Sequence, residues 1–204
     1  MKILRYVKKG NNNYQIEFDN GLCVKLNEDL ILKYNLLYKK EMGQDEVNKL
    51  ILLNNKYDIY NKCVKYICVR LRSINEMKEY MHRQGIDDEY MEEIIEKLVK
   101  NGLVDDRKFA LAFTKDKMKF STMGPYKIEM ELKKHKIDDK IIYESIHSIT
   151  YEEIVEKINK QINKLIKSNR GKSNLRNRIY NNLLSLGYSS DMIVANISKY
   201  NLTV

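Results

Sequence analysis

The sequence has no tryptophan, a single proline and only eight glycines in 204 residues. Folds built only from β-strands turn often, and their turns draw on glycine and proline. The shortage of both favours long helices with short connections. Cysteine is scarce too. Cys23, Cys63 and Cys68 are an odd number without paired spacing, which argues against a disulfide framework or a zinc site and reads as free thiols in a reducing compartment. No apolar run near Met1 is long enough for a signal peptide, and none elsewhere approaches the ~20 residues of a membrane-spanning helix. The expectation is a soluble, cytoplasmic chain with no membrane association. Acidic residues are in the minority: 37 Lys and Arg stand against 28 Asp and Glu, a net +9. Polyanions are natural partners of such a surface, although solubility alone also accounts for lysine in this amount.

What is present begins with an alternating pattern. Tyr14, Ile16 and Phe18 alternate with polar residues, as do Leu22, Val24 and Leu26. A two-residue Asn20-Gly21 loop would put the two apolar sets on opposite faces. A three-residue loop pairs Phe18 with Leu22, Ile16 with Val24 and Tyr14 with Leu26 on one face, with Gly21 left-handed in a bulge. Asn27 then caps a short helix bearing Leu30, Ile31 and Tyr34. Gly43 and Gln44 read as a loop, and Asp45 as the cap of a helix carrying Val47, Leu50 and Ile51.

From about residue 57 the chain repeats itself at offsets of 51 and 102. Met77, Ile128 and Ile179 align. So do Met81, Leu132 and Leu183; Ile86, Ile137 and Tyr188; Met91, Ile142 and Ile193; and Ile95, Ile146 and Ile197. Gly85 matches Gly187, with Lys136 between them. Five apolar columns in register mark an internal repeat. Each unit reads as a lead helix, a second helix, a break and a third helix. The first lead helix carries Tyr60, Val64, Ile67 and Leu71. Ser73 and Glu76 form a capping box, and Gly85 supplies a left-handed stop. Phe109, Ala112 and Phe113 mark the second lead helix; Ile154, Ile158, Ile162 and Leu165 mark the third. The fold class expected is mainly α: three tandem three-helix repeats in an elongated, curved stack, after an N-terminal β-hairpin and helix. The expected domains are an extension over 1–56 and repeats over 57–104, 105–150 and 151–204.

Paired aspartates (Asp87-Asp88, Asp105-Asp106, Asp138-Asp139) invite a catalytic reading, but each pair sits at an expected helix start, where carboxylates cap free N–H groups. Of the three histidines, His82, His135 and His147, the first two nearly coincide in the repeat and fall near helix ends. No zinc-protease, nucleophile-elbow or phosphate-loop signature occurs. No catalytic residue, metal site or cofactor is expected.

Basic residues are unevenly placed. Residues 51–101 hold nine basic and nine acidic residues, whereas 151–204 hold nine against four. Lys157, Lys160, Lys164 and Lys167 recur at helical spacing away from the Ile158/Ile162 face, and Arg170, Lys172, Arg176 and Arg178 follow. Two readings stay open: a solvated lysine face, or a polyanion-binding stripe. Tyr80 and Tyr188 fall in apolar columns and read as core, while Tyr126 and Tyr151 read as exposed.

The segment Leu98-Val99-Lys100-Asn101-Gly102-Leu103-Val104-Asp105-Asp106-Arg107-Lys108-Phe109-Ala110 resembles the characteristic stretch of RecX proteins. Arg70-Leu71-Arg72-Ser73-Ile74-Asn75-Glu76-Met77 is similar to the family's first-repeat opening, and Gly124-Pro125-Tyr126-Lys127-Ile128 to that of the second. The resemblance covers roughly 57–200, and the N-terminal hairpin and helix look like the extension of Gram-positive-type members. It departs from the family pattern at Lys136, where glycine is usual, and at Met77 in place of leucine; the third unit matches in pattern only. Such a resemblance implies a non-enzymatic, monomeric regulator. Its partner would be the RecA filament on single-stranded DNA, whose growth, strand exchange, ATP hydrolysis and coprotease activity it would inhibit. Arg70, Arg72 and Lys127, at the repeat junctions, join the basic stripe as candidate filament- or DNA-binding residues. The alternative is a helical-repeat protein that binds DNA directly and independently of RecA.

Overall fold

Three antiparallel strands, β1 (Ile3–Lys8), β2 (Asn13–Phe18) and β3 (Cys23–Asn27), open the chain in the order β1-β2-β3. The structure is a computed structural model that describes residues 1–10, 12–169 and 173–200. The β2–β3 pairing has the expected three-residue loop: Ile16 faces Val24, Tyr14 faces Leu26, and the Phe18 N–H donates to the Leu22 carbonyl at 2.9 Å. Gly21 holds φ +83° there, a conformation that costs glycine little.

Strand β1 is a correction to the expected hairpin. Its register shifts between Ile3, opposite Phe18, and Arg5, opposite Glu17. Leu4 is the extra residue and stays 67% exposed. The shift breaks the two-residue alternation, so Ile3 and Tyr6 both pack on the core although three positions apart. The Tyr6 hydroxyl donates to the Leu36 carbonyl and ties β1 to a 3-10 turn over Leu36–Tyr38.

Two helices complete this part. α1 (Glu28–Lys33) is capped by Asn27, whose side chain accepts from the Asp29 N–H at 3.0 Å. α2 (Gln44–Val69) has Gly43 at its N-cap; Asp45 lies in the first turn and is not the cap expected, serving instead as a negative charge at the positive helix end. α2 continues unbroken through the boundary expected at residue 56. Ile16, Phe18, Leu26, Ile31, Leu36 and Val47 form the core. Met1–Arg70 is one compact unit and Leu71–Val204 a second.

The second unit contains α3 (Ile74–Arg83), α4 (Asp88–Lys100), α5 (Asp106–Phe120), α6 (Pro125–Lys134), α7 (Asp139–His147), α8 (Tyr151–Ser168), α9 (Leu175–Ser185) and α10 (Ser190–Ile197). The apolar register becomes its core. Met77, Ile128 and Ile179 are all 0% exposed, as are Met81, Leu132 and Leu183. Ile128, Leu132, Ile137 and Ile142 cluster with Phe109 and Ala110 of α5, while Ile179, Leu183, Tyr188 and Ile193 cluster with Ile158 and Ile162 of α8. Each of α3, α6 and α9 ends alike: Ile86, Ile137 and Tyr188 return an N–H to the carbonyls of Met81, Leu132 and Leu183 at 3.3, 3.4 and 3.2 Å. This closure needs a left-handed residue just before the returning N–H. Gly85 and Gly187 supply it, and Lys136 adopts it at φ +53° despite its side chain.

Candidate nucleic-acid interface

The basic side chains gather where α5 ends beside α8. Thr150 and Glu153 cap α8 reciprocally, and the helix buries Ile158 and Ile162, so Lys160, Lys164 and Lys167 project from its exposed side. α5 stops at Phe120 because Ser121 leaves helical geometry and turns its hydroxyl back to the Lys117 carbonyl at 2.7 Å. Between them lies a cleft of about 380 Å³. Lys119 and Phe120 line it from α5, Lys157, Lys160 and Lys164 from α8, and Tyr188 from beyond α9. No carboxylate lines this part; Glu153 and Glu156 border the adjoining recess nearer the start of α8. Among the described residues, Lys119, Lys160 and Lys164 have no carboxylate partner.

Phe120 is 76% exposed, with the Lys119 ammonium 5.1 Å from its ring centroid. Tyr188 is the opposite case. Its ring is buried, its hydroxyl donates to the Thr122 carbonyl at 3.2 Å, and burial pushes its pKa up to about 12.

Lys157 is engaged inside the protein. Its ammonium donates to the carbonyls of Lys117 at 3.0 Å and Met123 at 3.2 Å, joining Ser121 on the first and satisfying the second just past the end of α5. Burial, and then the neighbouring Lys160 charge, lower its pKa. This lysine fastens α8 to the end of α5, which separates it from the solvent-facing stripe.

The other expected residues are dispersed. Arg176 and Arg178 are exposed on α9 and do not line the cleft. Lys127 lies on α6 with its ammonium 3.5 Å from the Ser185 carbonyl. Arg70 is exposed at the C-cap of α2 and Arg72 is half-buried just before α3; neither lines the cleft. Arg170 and Lys172 lie outside the described residues. Lys119 and Phe120 are not singled out by the sequence. Their signal, Lys115, Lys117 and Lys119 alternating before Phe120, resembles a helix end complementing its own dipole, and only the fold brings it opposite α8.

The paired aspartates divide their work. Asp87, Asp105 and Asp138 each cap the helix they precede; Asp105 accepts from the N–H groups of Arg107 and Lys108 at 2.9 and 3.1 Å. Asp106 instead accepts from the Ile74 N–H at 2.8 Å, so a side chain of α5 caps α3. Burial, and secondarily the Asp105 charge, raise its pKa, against the lowering effect of the Ile74 N–H and His135. Among the described residues no group of His, Cys, Asp or Glu is arranged to hold a metal ion, and no helix is long and apolar enough to cross a membrane.

Comparison with known proteins agrees with this architecture. Residues 60–98 match the family model described as RecX, first three-helix domain, and residues 105–146 that of RecX, second three-helix domain. The regulatory protein RecX of Listeria monocytogenes serotype 4a is 27% identical over 187 residues, covering 91% of this chain and 70% of that one. Its counterpart in Oceanobacillus iheyensis is 26% identical over 203 residues, 96% and 75% of the two chains. A crystal structure of a regulatory protein RecX superposes with a TM-score of 0.80 at 18% identity, over 97% of this chain and 98% of that one, a likeness of fold. The crystal structure of RecX from Lactobacillus salivarius gives a TM-score of 0.67 at 30% identity, over 72% of this chain and 97% of that one.

Proposed function

The chain belongs to the RecX family, and from that membership we propose that it binds the RecA filament on single-stranded DNA and inhibits filament growth, strand exchange, ATP hydrolysis and coprotease activity. Its relatives are named regulatory proteins. The observation that carries the proposal is the lysine cleft between α5 and α8, where Lys119, Lys160 and Lys164 stand without carboxylate partners. A filament that encloses a polyphosphate chain attracts such a surface, and each neutralised phosphate releases a counterion. The protein acts in this reading as a cytoplasmic, non-enzymatic monomer without a cofactor. Its parts are an extension over 1–56 and repeats over 57–104, 105–150 and 151–204.

The test is RecA-dependent ATP hydrolysis on single-stranded DNA, titrated with this protein. Hydrolysis should fall as the protein is added, and less so as salt rises. A rate indifferent to the protein at every concentration would reject the filament partner. One observation favours a second reading, direct DNA binding independent of RecA: the exposed Phe120 ring beside these lysines, a pairing of cation and aromatic face that suits unpaired bases. Binding to bare DNA with no effect on RecA would select it.

A further inference from the structure

We propose that the cleft between the end of α5 and α8 is a binding site for single-stranded DNA, with phosphates on Lys119, Lys160 and Lys164 and one base stacked on Phe120. This deepens the filament proposal by naming the ligand at the basic face, and takes from it only the setting in which the strand is met.

The spacing comes first. Lys160 and Lys164 are four residues apart on one helix and so about 6 Å apart along its axis, close to the separation of neighbouring phosphates in an extended strand. Both project from the exposed side of α8, and Lys119 faces them from α5. Among the described residues none of these three ammonium groups is in an ion pair, and the nearest carboxylates of the adjoining recess, Glu153 and Glu156, lie outside the cleft. Lys157, whose charge would otherwise be a fourth, is occupied by the Lys117 and Met123 carbonyls and holds the two walls together.

The aromatic residue decides the class of polyanion. A lysine surface alone would serve duplex DNA, an acidic protein segment or single strands equally. Phe120 adds an open apolar ring in the same cleft, 76% exposed where phenylalanine is ordinarily core. A ring in that setting offers a stacking face. Only an unpaired base can lie on it, because duplex bases are already stacked on one another. A carboxylate-rich peptide would use the lysines and gain little from the ring.

The experiment is fluorescence anisotropy of a labelled oligothymidylate with the full chain, without recombinase, across a series of salt concentrations. Phe120→Ala should weaken binding about tenfold with an unchanged salt slope, and Phe120→Tyr should restore it. Lys160→Gln with Lys164→Gln should weaken binding and flatten the slope of log affinity against log salt by about 1.4, or ~0.7 for each phosphate released. A duplex of equal length should bind more weakly and be indifferent to Phe120→Ala. Oligothymidylate binding that ignores Phe120→Ala, a duplex bound as tightly as the single strand, or displacement by polyglutamate as effective as by unlabelled oligonucleotide would each overturn the site. So would failure to bind oligothymidylate at low salt. The filament proposal fails on a different readout, RecA ATP hydrolysis unchanged by the unaltered protein, so the two can fall separately.

Discussion

Gly124 and Gly187 meet backbone to backbone. The Gly124 N–H donates to the Leu186 carbonyl at 2.7 Å and the Tyr126 N–H to the Gly187 carbonyl at 3.1 Å, so the start of α6 is capped by the end of α9. A Cβ on Gly124 would lie 2.5 Å from the Gly187 oxygen, and one on Gly187 2.5 Å from the Lys127 nitrogen. Gly124→Ala and Gly187→Ala should each cost about 2 kcal/mol or more, since backbone must move on both sides. Gly85→Ala, with φ +72° but open space around it, should cost only about 1 kcal/mol. Urea unfolding of the three variants checks the order; a Gly124→Ala loss no larger than that of Gly85→Ala would show that close approach does not set the requirement.

Adjacent aspartates should respond oppositely. Asp105→Ala removes the α5 cap and should cost on the order of 1 kcal/mol. Asp106→Asn keeps an acceptor for the Ile74 N–H while removing a half-buried charge. Because burial raises the Asp106 pKa, the folded state holds its proton more tightly than the unfolded chain does. Its contribution therefore declines as pH rises through the ordinary value of 3.8 and stops declining above the raised folded value. The asparagine variant should lack that decline and be no less stable at pH 7. Unfolding free energies measured from acid to neutral pH test this; a variant destabilised at neutral pH would show that the charge itself is needed.

Lysines of α8 should separate into two kinds. Lys157→Met leaves the Met123 carbonyl without its donor, removes one of the three donors to the Lys117 carbonyl, and should cost about 1–3 kcal/mol. Lys160→Gln and Lys164→Gln, on exposed side chains, should change stability by no more than about 0.5 kcal/mol. Thermal melts of the three decide it, and a neutral Lys157→Met would return that residue to the solvent-facing stripe.

Lys136 holds a conformation that its Cβ disfavours. Lys136→Gly should therefore stabilise the protein by about 1 kcal/mol, as the same closure of α3 and α9 already uses glycine. A loss in denaturant unfolding would reveal an interaction of the lysine that outweighs the strain.

Arg176 and Arg178 are exposed on α9 and are not part of the buried Ile179/Leu183 cluster. Reversing both to Glu should leave helical circular dichroism intact and raise the protein concentration needed to suppress RecA ATP hydrolysis. Titration against preformed filaments at two salt concentrations measures it. Unchanged inhibition with an unchanged salt slope would take α9 out of the binding surface.

The helical repeat is legible in the sequence because burial imposes one residue class at fixed intervals: Met77, Ile128 and Ile179 recur every 51 residues, and all three are fully buried. The β2–β3 register is legible for the same reason, since of the two- and three-residue loops only the latter puts Ile16 and Val24 on one face. β1 is hidden by its bulge, which desynchronises Ile3 from Tyr6. The cleft is hidden differently. Charge carries no periodic signature of its partner, so Lys157 looks the same as Lys160 in the sequence, although one meets carbonyls and the other solvent. Phe120 and Lys164 are separated by more than forty residues and are related only through the packing of α5 beside α8.

Two contacts that join lead helices to their predecessors have opposite chemistry. Asp106 answers an N–H of α3, whereas Lys157, 51 positions later, answers carbonyls at the end of α5. The residue 51 positions after Ile74 is Pro125, which has no N–H to give. If residues 105–150 were copied in tandem, the second Asp106 would face a proline, and the first Lys117 carbonyl would lose its ammonium. Lys136 would also stand where only Gly187 clears the Lys127 backbone. Each of these two contacts is thus specific to its own junction. A tandem copy of the middle segment would therefore break both contacts and press a lysine side chain against backbone.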